Sequence, residues 1–172
     1  MVNEKTIKEL LIEYRAIEFG DFILASGAIS RYYIDIKTAM THPELLNRVA
    51  KEFSERGSFD LVAGVAVGGV PLAVATGLAA GKEYAIVRQV ARDHGKSGVI
   101  IGDVKGRKVL LVEDVTTSGG SALYGVEQLR AAGASVTTVM TVVDREQGAV
   151  EALAAVGVRL IPLVRASELL NR

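Results

Sequence analysis

Two adjacent acids, Glu113 and Asp114, stand directly ahead of a run of hydroxyls and glycines: Thr116, Thr117, Ser118, Gly119, Gly120 and Ser121. Consecutive backbone N–H groups and hydroxyls at the start of a helix, where partial positive charge gathers, suit a phosphate. Glycines let the backbone approach that phosphate closely. Carboxylates at the carboxyl end of a strand suit sugar hydroxyls or a hydrated Mg²⁺. A phosphate at one end and a diol at the other describe a ribose 5-phosphate. The competing reading of the same residues is an ordinary strand-to-helix turn with a Ser/Thr cap.

The elements that must hold these groups are legible on either side. Val109, Leu110, Leu111 and Val112 show no polar alternation, which predicts a strand buried on both faces, and residues 122–130 carry helical spacing. The same plan recurs upstream: a strand over 60–67, then Gly68 and Gly69, then Pro71 and a helix over 72–80. That Gly pair serves either a second anion or a tight turn with close packing. A strand over 84–87 leads into 88–98, which concentrates charge, ends in glycine and has no period, the signature of a mobile loop. A strand over 135–143 ends at Asp144 and Arg145, where the planar guanidinium can take a carboxylate through two hydrogen bonds. A helix over 149–156, a strand over 159–164 and a short terminal helix capped by Ser167 complete the chain.

Towards the N-terminus, Ile7, Leu10, Leu11, Tyr14 and Ile17 predict one helix over 3–19. Strand-like pieces at 21–25 and 32–36 follow, joined by a Gly-containing connection. Thr41 and Glu44 form a capping-box pattern with Pro43 in the first turn, opening a helix to about residue 53, with His42 as a solvated helix-start residue. Strands near 61–67, 84–87, 109–113, 136–143 and 159–164 alternate with helices. That alternation predicts a doubly wound α/β fold, a largely parallel sheet flanked by helices and joined by right-handed crossovers. All 172 residues are expected to form a single domain, with a small N-terminal hood from about 1–40.

Composition narrows the chemistry. Hydrophobic residues make up 49% with 18 glycines and 5% aromatics, which suits small-residue packing in an α/β protein. Lys plus Arg and Asp plus Glu both number 20, so the balanced chain has no electrostatic pull towards nucleic acid. With 0 cysteines there are no disulfides, thiolate metal sites or cysteine nucleophiles. No apolar run is long enough to span a bilayer and no signal-peptide pattern is present, so a cytoplasmic location and no membrane partner are expected.

The stretch 109–121 resembles the phosphoribosyl-diphosphate (PRPP) signature of the type I phosphoribosyltransferases, two acids followed by a hydroxyl- and glycine-rich loop. Within that group the chain is most similar to the orotate phosphoribosyltransferases, through 22–27 with 30–35, through 88–95 and through 143–145. The resemblance implies transfer of ribose 5-phosphate from PRPP to orotate, with Mg²⁺ carried by PRPP near Glu113 and Asp114. It assigns Arg88, Glu113, Asp114, Thr116, Thr117, Ser118, Gly119, Gly120, Ser121, Gly68 and Gly69 to PRPP. Ser26, Gly27, Thr117 and Arg145 are assigned to orotate.

By the same resemblance Arg92 and His94, together with Asp114, act in catalysis. Their loop, 88–98, closes over the active site of the partner subunit of a homodimer. Three positions depart from the family's pattern, since Ala25, Gly68 and Gln89 stand where lysines are common. Two other readings keep the fold: transfer to a purine or uracil, and a PRPP-sensing regulator. The first gives Arg145 no carboxylate to bind.

Overall fold

The structure, a computed structural model, describes residues 4–23, 27, 29–90 and 98–170. Its core is a six-stranded sheet in the order β5-β4-β3-β6-β7-β8. The strands are β3 (Leu61–Val65), β4 (Tyr84–Val87), β5 (Ile100–Ile101), β6 (Lys108–Thr116), β7 (Ser135–Asp144) and β8 (Arg159–Arg165). All neighbours pair in parallel except β4 with the short edge strand β5. The doubly wound architecture read from the sequence is therefore the one adopted. Helices α4 (Gly69–Ala80), α5 (Gly120–Ala131) and α6 (Ala149–Ala154) are the crossovers. From the centre, β3 leads outward to β4 while β6 leads the other way to β7. The carboxyl ends of β3 and β6 thus flank the point where the winding reverses, the crevice in which open α/β sheets bind ligands.

Side-chain alternation along the central strands divides the core. Val62, Leu110, Val112 and Met140 pack on one face, against α4 and against α1 (Ile7–Glu13), α3 (Pro43–Arg56) and α7 (Ala166–Leu170). Leu61, Ala63, Val65, Val109 and Leu111 pack on the other, against α5 and α6.

The N-terminal part departs from its expected boundaries. Helix α1 ends at Glu13, with Arg15 at a positive φ of 54°, so Ile17 belongs not to the helical stripe but to strand β1 (Ile17–Ile23). Strand β1 pairs antiparallel with β2 (Ile29–Ile34), and together they form the hood as a separate two-stranded sheet. Strand β2 stops two residues before the expected end because the Asp35 side chain caps a short helix α2 (Ile36–Ala39), accepting from the Thr38 N–H at 3.0 Å. The capping box expected at α3 is not formed. Thr41 instead donates its hydroxyl to the Thr38 carbonyl, Glu44 accepts from the Tyr14 hydroxyl, and His42 stacks on Tyr14 at 4.0 Å while staying exposed. Ser167 likewise lies inside α7, its backbone N–H donated to Glu146 at 2.9 Å.

Candidate active site

Strand β6 runs through both acids to Thr116, so the carboxylates are strand residues, each 4% exposed. Adjacent strand residues point to opposite faces, and the two acids part accordingly. Glu113 faces α5, where it accepts the Ser121 hydroxyl at 3.0 Å. Burial pushes its carboxyl up to about 8, and the neighbouring Asp114 charge adds to the shift. Asp114 faces α2 and α4. Its Oδ2 lies 3.0 Å from the Lys37 ammonium, and a Cβ at Gly68 would stand 2.5 Å from its Cγ and Oδ2. Asp114 therefore packs against the backbone after β3, and a side chain at Gly68 would have to displace its carboxylate.

The loop after β6 encloses a cleft of about 250 Å³ lined by Val115, Thr117, Ser118, Gly119, Gly120 and their neighbours. Gly119, at φ 87°, turns the chain into α5 and abuts the Ala149 backbone, so a side chain there is both strained and crowded. The hydroxyls are not all turned to this cleft. Thr116 is buried and donates to Asp144 at 2.9 Å, and Ser121 is committed to Glu113, which leaves Thr117 and Ser118 exposed at the loop. A larger cavity of about 440 Å³, lined by Leu10, Glu44, Arg48 and Lys51 among others, draws on no strand end and no glycine loop.

Arg145 follows the carboxyl end of β7, its N–H held by the Thr116 carbonyl at 2.8 Å and its guanidinium 5.8 Å from the Tyr32 ring of β2. Its Nε is buried without a hydrogen-bond partner among the described residues. A buried orphan donor at a strand end asks for an acceptor, and a ligand carboxylate would supply one. The hood thus meets the sheet at Tyr32, above the arginine that the sequence singles out.

Gly69 starts α4 packed against Gly64 and the Val112 carbonyl, and Gly27 turns in the hood at φ 82°. Arg88 is clamped at the foot of its loop. Its N–H donates to the Val99 carbonyl at 2.7 Å, and its carbonyl accepts the Tyr124 hydroxyl at 2.9 Å. Ser26, Arg92 and His94 lie outside the described residues. Lys37 escaped the sequence reading. Its only local signal is Asp35, which caps the turn that carries it, and pairing with a residue 77 positions away leaves no mark in the sequence.

The chain matches the family model described as a phosphoribosyl transferase domain over residues 36–161. It is 64% identical to the orotate phosphoribosyltransferase of Methanocorpusculum labreanum, with 99% of both chains covered. The crystal structure of orotate phosphoribosyltransferase from Aeropyrum pernix superposes with a TM-score of 0.85 at 34% identity, covering 96% of each chain. The Mycobacterium tuberculosis orotate phosphoribosyltransferase solved in complex with PRPP gives a TM-score of 0.77 at 32% identity, covering 95% of this chain and 98% of that one.

Proposed function

Because the chain belongs to the phosphoribosyltransferase family, we propose that its cleft binds PRPP across the carboxyl ends of β3 and β6 and takes orotate under the hood. The activity is orotate phosphoribosyl transfer in pyrimidine biosynthesis: orotate and PRPP give orotidine 5′-monophosphate and pyrophosphate. The bond from the sugar carbon to the diphosphate breaks as the base nitrogen bonds to that carbon, which gains cationic character on the way. No protein nucleophile is required. The protein's work is to hold both substrates in line, stabilise charge on the leaving group and keep water out.

In this reading the 5-phosphate sits on the backbone N–H groups of 117–121 and the Thr117 and Ser118 hydroxyls. Asp114 takes the ribose hydroxyls. Arg145 pairs with the orotate carboxylate, and its buried, unpartnered Nε is the observation that carries this assignment. Arg88 at the loop foot, with Arg92 and His94, faces the diphosphate, and the loop acts on the partner subunit of a homodimer. The protein acts in the cytoplasm in this reading, with Mg²⁺ as its cofactor.

Among the described residues no group of three or more His, Cys, Asp or Glu side chains forms a metal cage. In this reading Mg²⁺ arrives on the diphosphate and keeps most of its waters, near Glu113 and Asp114. When bound it would neutralise charge on the leaving diphosphate. Transfer to a purine or uracil would leave Arg145 with no carboxylate to meet. The test is orotate consumption, followed by ultraviolet absorbance, with PRPP and Mg²⁺. No loss of orotate, or equal turnover of uracil or adenine, overturns the reading.

A further inference from the structure

We infer that Lys37 is a diphosphate-binding residue of this cleft, parked on Asp114 in the free protein and drawn onto the substrate's diphosphate when PRPP binds. The inference rests on the PRPP reading above. Its base is fixed: α2 is capped by Asp35 and anchored by Ile36 and Ala39, both buried in the core. Its head is free to move, with the Lys37 side chain 60% exposed while that of Asp114 is 6% exposed.

The geometry of the winding-reversal point sets which end of the substrate lies there. The hydroxyl- and glycine-rich loop and α5 lie on one side of β6, where the 5-phosphate is held. Asp114, on the other face, separates that loop from Gly68 and the start of α4. A ribose spanning Asp114 must direct its diphosphate towards the turn after β3. That turn, 66–69, contains no charged side chain. A side chain at Gly68 would have to displace the Asp114 carboxylate, which a Cβ there would approach to 2.5 Å. Lys37 touches the same carboxylate from α2, and so brings a cation to a turn that carries none of its own. Engagement of Asp114 by the ribose hydroxyls would release the ammonium, and the nearest new anion would be the diphosphate.

Isothermal titration of the full chain and of Lys37→Met and Lys37→Arg, each checked for an unchanged thermal melt, tests this without catalysis. The probes are inorganic pyrophosphate, PRPP and ribose 5-phosphate. Loss of a charge-assisted hydrogen bond predicts about ten- to a hundred-fold weaker pyrophosphate and PRPP binding in Lys37→Met. Ribose 5-phosphate should be unchanged within error, and Lys37→Arg should recover most of the loss. Unchanged pyrophosphate affinity overturns the inference. So does an equal loss for ribose 5-phosphate, which would mean that Lys37 acts only by holding Asp114. Failure of the parent reading is separate, because it would appear as no orotate consumption by the unaltered chain.

Discussion

At the scale of single residues, the two acids are chemically distinct because the strand sends them to different neighbours. Asp114→Asn keeps the size that fits against Gly68 and leaves Lys37 able to return to solvent. The variant is expected to fold and to bind PRPP poorly; a normal PRPP titration would remove Asp114 from the ribose. Arg145→Ala should weaken orotate by about ten- to a hundred-fold and PRPP far less, since one charge-assisted pair is lost. Equal loss of both substrates would make Arg145 structural. Glu113 predicts a pH dependence of stability. Its carboxyl titrates near 4.5 when unfolded and is raised to about 8 in the fold, so across that interval the folded chain holds the extra proton. Stability therefore falls as pH rises through the interval. Denaturant titrations of Glu113→Gln should give a flatter profile there than the unaltered chain; identical slopes would refute the assignment.

At the scale of elements, the site depends on how closely β3 meets the start of α4. A Cβ at Gly64 would fall 2.1 Å from the Gly69 carbonyl oxygen, so the strand and helix approach until backbone touches backbone. Gly64→Ala should cost about 1–3 kcal/mol or more, as overpacking does, and should shift the turn that supports Asp114. A melting temperature equal to that of the unaltered chain would show that the contact relaxes freely. The other element of consequence is α2, a single turn whose Asp35 cap fixes where Lys37 starts. It is legible only weakly in sequence, because four residues carry no helical period.

At the scale of the whole molecule, activity in this reading requires two chains. If the 88–98 loop acts across a homodimer, a variant with Arg92→Ala and His94→Ala should be inactive alone, as should Asp114→Asn. Re-dimerising the two should restore activity, because one site of the mixed dimer pairs an intact Asp114 with an intact loop. Verified mixed dimers without activity would place the loop in its own subunit or outside the reaction. Among the described residues no helix is long and apolar enough to cross a membrane.

The sequence by itself determined the alternating strands and helices, the central strand with its acids and glycine loop, and Arg145 at a strand end. Each of these is a local pattern of periodicity, turn chemistry or motif, written in consecutive residues. The tertiary structure alone decided that Ile17 leaves the helix for a strand, through pairing with Ile34. It turned the Thr116 hydroxyl away to Asp144, and it placed Lys37 on Asp114. These outcomes depend on partners distant in the chain, and a polar side chain settles on whichever partner the folded backbone brings within reach.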